Sequence, residues 1–77
     1  MMREDQRKIV LQYFAKYGIR DIERDAIEDP TELILFLRSE DFQEGSVTRW
    51  EEELKELIPH TKIDIYEKKP TWPSKVL

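Results

Sequence analysis

Five consecutive apolar residues, Leu33-Ile34-Leu35-Phe36-Leu37, stand between Glu32 and Arg38 as the longest unbroken apolar stretch of the chain. With 39% of its residues charged, the chain has to bury this run, so the segment that contains it lies at the centre of whatever forms. A short apolar run bounded by charge suits a strand buried on both faces. The competing reading is a helix over 30–40. Asp29-Pro30-Thr31-Glu32 has the order of a helix start, with Asp at the N-cap, Pro at the first position and a carboxylate at the third. Ile34 and Phe36 favour the strand.

The segments on either side must cover this centre. Residues 3–17 read as a helix, because Ile9, Val10, Tyr13, Phe14 and Tyr17 fall on one face, which Met2 and Gln6 extend. Glu4 and Asp5 in its first turn and Lys16 in its last match the helix dipole. Gly18 supplies the left-handed stop and Ile19 folds back. Residues 19–28 fit either a helix face through Ile19, Ile22, Ala26 and Ile27 or a short edge strand near 19–23. After a polar connector that holds Phe42 and turns at Gly45, a second helix is expected. Ser46 or Thr48 caps it, Thr48-Arg49-Trp50-Glu51 reads as a capping box, and Val47, Trp50, Leu54, Leu57 and Ile58 are its apolar face. Pro59 ends it. Lys62-Ile63-Asp64-Ile65-Tyr66 alternates polar with apolar, the pattern of a half-buried strand.

Strand, helix and strand in that order predict two neighbouring strands joined by a crossover helix. The expected fold is therefore α/β in the broad sense (α+β), a small two- to three-stranded sheet packed by two or three helices. The alternative is a mostly helical domain containing the helix over 30–40. Residues 1–66 make a single small domain. Residues 67–77, with Trp72 between Pro70 and Pro73, form a tail that packs back or stays flexible.

Composition excludes several functions. There is no cysteine and only one histidine, His60, which leaves no thiolate metal site and no His-based triad. No segment approaches the ~20 apolar residues of a membrane helix, and Met1-Met2-Arg3-Glu4-Asp5 is too charged for a signal peptide, so a cytoplasmic protein without membrane contact is expected. The net charge of −4 divides into +3 over residues 1–20, −9 over 21–58 and +2 over 59–77. An acidic middle argues against nucleic acid as the partner. The alternative nucleic-acid reading rests on a basic patch of Arg3, Arg7, Lys8 and Arg20 around the first helix. Asp21, Asp25, Glu28 and Asp29 lack the spacing and central glycine of an EF-hand loop and read as a solvated face.

The order of parts resembles the minimal nucleotidyltransferases. Lys16-Tyr17-Gly18-Ile19 is similar to the step that ends the family's first helix. Glu52-Glu53-Leu54-Lys55-Glu56-Leu57 is similar to its later helix, and Lys62-Ile63-Asp64-Ile65-Tyr66 to its third strand. The family is implied to bind Mg²⁺-ATP through carboxylates on adjacent strands. Asp64 matches the third-strand carboxylate, and Glu32 stands for the second Asp of Asp-x-Asp. Pro30 stands where the first should be, and the Gly-Ser motif that holds the phosphates has no counterpart. The resemblance thus implies a shortened domain without catalysis. The expected function is that of a non-catalytic protein-interaction or regulatory domain, with Trp72 and Tyr66 meeting a protein partner. The enzyme alternative is a divergent Mg²⁺-dependent nucleotidyltransferase using Glu32 and Asp64.

Overall fold

The first helix, α1, covers Glu4–Ala15 and ends where glycine permits it. Gly18 takes φ of 76°, the left-handed conformation that costs other residues a clash at Cβ. The Ile19 N–H then donates to the Phe14 carbonyl (3.1 Å) and the Gly18 N–H to that of Ala15 (3.0 Å). This paired closure satisfies two orphan carbonyls and turns Ile19 back onto Phe14, both buried in the core. The structure, a computed structural model, describes residues 3–26 and 31–77. Met2, Ile27, Glu28, Asp29 and Pro30, to which the sequence reading gave roles, lie outside them.

Strands β1 (Ile22–Asp25) and β2 (Glu32–Leu37) follow. A 3₁₀ turn at Glu44–Ser46 leads into helix α2 (Val47–Leu57), then strands β3 (Lys62–Glu67) and β4 (Ser74–Val76). The sheet order is β3-β2-β1-β4. β2 and β3 are parallel and joined through α2, whereas β1 is antiparallel to both β2 and β4. The domain is thus α+β, with two helices and a four-stranded mixed sheet among the described residues.

The helix over 30–40 is ruled out, because Glu32–Leu37 is a strand. The physical reason is that the run has apolar cover on both sides. Leu33, Leu35 and Leu37 enter the core under the helices, while Phe36 is buried from the opposite face. Two further details depart from the sequence reading. Ser74–Val76 adds a fourth strand, so β1 lies inside the sheet rather than at its edge. Leu57, assigned to the apolar face of α2, is 53% exposed.

The core lies between the helices and one face of the sheet. Val10, Tyr13 and Phe14 of α1, with Trp50 and Leu54 of α2 and Ile58 just after it, cover Ile22, Leu33, Leu35, Leu37, Ile63 and Ile65. Phe14 and Trp50 meet edge to face at 5.6 Å, a favourable arrangement of ring quadrupoles. The Trp50 indole N–H is buried without an acceptor among the described residues.

Two of the three consecutive glutamates of α2 take separate partners. The expected capping box does not form: Ser46 is the N-cap and makes no side-chain cap bond, its hydroxyl going to Gln43 Oε1 at 3.1 Å. Glu51 instead accepts the Ile65 N–H of β3 at 2.9 Å. β3 is an edge strand, and an edge N–H without a partner is costly, so the carboxylate goes there. Glu53 accepts from the Tyr13 hydroxyl and ties α1 to α2. Burial, and then that hydrogen bond, hold the Tyr13 phenol protonated well above its ordinary range.

Candidate partner-binding face

Alternation along the strands sends every second residue away from the helices. On this open face lie Glu23 and Asp25 of β1, Glu32, Ile34 and Phe36 of β2, and Lys62, Asp64 and Tyr66 of β3. Register fixes the neighbours: Phe36 pairs with Tyr66 on one side and Glu23 on the other, and Ile34 pairs with Asp64. The sheet thereby carries an aromatic pair across β2 and the edge strand β3, with charges on the neighbouring positions.

The chain returns over that pair. A turn closed by the Trp72 N–H on the Lys69 carbonyl (3.1 Å) brings Trp72 onto Phe36, ring centroids 5.4 Å apart. Trp72 also stands perpendicular to Tyr66, at 6.2 Å. Phe36 is only 6% exposed beneath these two rings. Tyr66 and Trp72 keep 45% and 40% of their surface open. The result is a shallow aromatic corner with a buried floor and two open walls.

A polar clasp holds the returning segment in place. Lys68 Nζ donates to Glu23 Oε1 at 2.5 Å and to Ser74 Oγ at 2.6 Å, and Ser74 Oγ donates to the same glutamate oxygen at 2.6 Å. Donation by Lys68, then by Ser74, keeps the Glu23 carboxyl below its ordinary range. Backbone pairing adds to the clasp: the Leu77 N–H donates to the Ile22 carbonyl at 3.0 Å. Trp72 is therefore positioned from both sides of its turn.

The structure brings Tyr66 and Trp72 together. It also sets Glu32 and Asp64 on one face of two parallel strands, two residues out of register. Lys62 pairs with Glu32 in that register, and its ammonium is 3.9 Å from an Asp64 oxygen. A two-metal clamp on a triphosphate needs several carboxylates converging on the metals. Among the described residues, no three His, Asp or Glu side chains are grouped so that they could hold an ion. Among the described residues, Glu32 and Asp64 therefore fall short of the donor set for the Mg²⁺ that the nucleotidyltransferase resemblance implies.

The basic residues of the first helix are dispersed. Arg3 pairs with Asp5 at 2.9 Å and Arg7 with Glu4 at 3.3 Å, while Lys8 and Arg20 are exposed, with Arg3 and Arg20 beyond opposite ends of α1. A shallow cleft of about 270 Å³ between α2 and β3 is lined by Glu51, Glu52, Asp64, Lys55 and Lys62, charges of both signs. No helix among the described residues is long and apolar enough to cross a membrane.

Phe36 escaped the sequence reading as a part of this face. Its signal was its even position in a run whose odd residues are core. Comparison with protein-family models, with curated proteins and with solved structures finds no match.

Proposed function

We propose that this domain is a non-catalytic interaction module that meets a protein partner through its open sheet face, with Tyr66 and Trp72 as the anchors. The observation that carries this reading is the aromatic corner: two half-exposed rings, held by a buried Phe36 floor and the Lys68–Glu23–Ser74 clasp. Rigid aromatics lose little entropy on contact and dominate binding surfaces. A clasp that fixes Trp72 at the surface lowers the ordering cost of binding further.

The parallel β2–α2–β3 unit supports a pared-down nucleotidyltransferase-like fold, and the two-residue offset of Glu32 from Asp64 supports the loss of catalysis. Cytoplasmic residence remains part of this proposal. The test is affinity capture from the native host with the wild-type chain and with Trp72→Ala as baits. A discrete protein retained by the first and lost by the second is expected; equal capture by both removes the proposal. Calorimetric titration of the wild-type chain with Mg²⁺-ATP is expected to give no binding heat at millimolar nucleotide, and a saturable heat would restore the enzyme reading.

A further inference from the structure

The charges framing the aromatic corner are unevenly signed. Glu23, Asp25, Glu32 and Asp64 all belong to open-face positions of β1, β2 and β3. Two lysines share that side of the sheet. Lys68 is spent on Glu23 and Ser74, and exposed Lys62 stands at 3.9 Å from Asp64. Lys75, which pairs with Arg24, falls on the opposite face of the sheet, and Lys69 lies in the turn that carries Trp72. The face thus combines exposed aromatic rings with four carboxylates and two lysines, Glu23 and Asp25 being already engaged.

We infer that this face takes an extended, arginine-bearing segment of a protein partner, with a guanidinium seated against Tyr66 and Trp72 and further basic side chains meeting Asp64 and Glu32. This rests on the interaction-module reading and names the chemistry of its partner. A planar guanidinium stacks on aromatic faces and is weakly hydrated, so it suits a corner of two perpendicular rings better than a lysine ammonium does. The carboxylates supply complementary charge for the rest of the segment. Two other occupants are disfavoured by the same charges. A second copy docked face to face would oppose carboxylate to carboxylate, and a nucleic-acid strand would bring phosphates onto Asp64 and Glu32.

The test is an NMR titration of the ¹⁵N-labelled full chain with an octa-arginine peptide at about 0.15 M ionic strength, where purely long-range attraction is screened. Saturable shifts are expected at Phe36, Asp64, Tyr66 and the Trp72 indole. Trp72→Ala and the surface variant Asp64→Asn should each weaken binding about three- to tenfold, the range of a single cation–π or surface ion-pair contact. Octa-lysine should bind more weakly than octa-arginine. Shifts centred on Glu51, Glu52 and Glu56 of α2, affinity unchanged by both variants, or equal binding of octa-lysine would overturn the inference. So would an oligonucleotide that moves the same resonances. Failure of octa-arginine to bind, with capture from the host still dependent on Trp72, overturns this inference alone; capture independent of Trp72 overturns the interaction-module reading as well.

Discussion

The two faces of the sheet are built from the same strands and differ in nearly every other respect. Under the helices the buried positions are Ile22, Leu33, Leu35, Leu37, Ile63 and Ile65, all aliphatic, with Arg24 and Lys75 on the same face toward the β4 edge. On the open side five of the eight alternating positions of β1, β2 and β3 are charged, beside the aromatic pair, and among the described residues the returning segment with Trp72 covers that pair. The first face is what folding requires of a short chain. The second adds aromatic surface outside the helix-covered core, with Phe36 buried and Tyr66 and Trp72 left half-exposed above it. On the proposed reading, that aromatic surface is what the open face offers a partner.

The contrast can be broken at its strongest point first. Leu35→Ala, in a fully buried position under the helices, is expected to cost about 3 kcal/mol, enough to unfold much of a domain this small. Chemical denaturation measures it, and a loss below 1 kcal/mol would deny that this face carries the stability. Phe36→Ala should cost less, about 2 kcal/mol, because its roof is two half-exposed rings rather than a packed helix layer. Trp72→Ala should cost about 1 kcal/mol in the same assay while removing partner capture, which separates binding from folding.

The smallest effect sharpens the comparison through pH. Glu23 has its folded pKa depressed below the ordinary 4.5 by Lys68 and Ser74. Its contribution is therefore complete above that value and drains away as pH falls through the folded pKa. Glu23→Gln is expected to cost about 0.5 kcal/mol at neutral pH and to flatten the acid limb of the stability curve below the ordinary value. A variant whose acid limb follows the wild type would remove the clasp from the account.

Much of the covered face was legible in the sequence. The unbroken run had to be central, Gly18 had to stop α1, and the alternation of Lys62-Ile63-Asp64-Ile65-Tyr66 put Ile63 and Ile65 inside with Tyr66 outside. The open face was harder to read, since its parts are joined by long-range contacts with no local signature. Ser74–Val76 is a three-residue strand with no apolar alternation, and it pairs because β1 offers it an edge. Trp72 finds Phe36 from 36 positions away, so a tail read as packing or flexible left its place undetermined. Thr48-Arg49-Trp50-Glu51 has the spacing of a capping box, but Glu51 meets a better donor in the edge N–H of Ile65. Each of these outcomes depends on which strands become neighbours, and pairwise spacing along the chain does not specify that.

The central claim, that the open sheet face is the contact surface, is tested most directly by site-specific photo-crosslinking. A photoreactive phenylalanine analogue is placed at Tyr66 in one variant and at Tyr17 in another, and each is irradiated in the native host. Tyr17 is the matched control, since it is 41% exposed and lies on the helix side against Trp50. A discrete adduct from position 66 and none from position 17 is the predicted result. Adducts from position 17 alone, or the same adducts from both, would contradict the assignment of the open face as the surface that meets the partner.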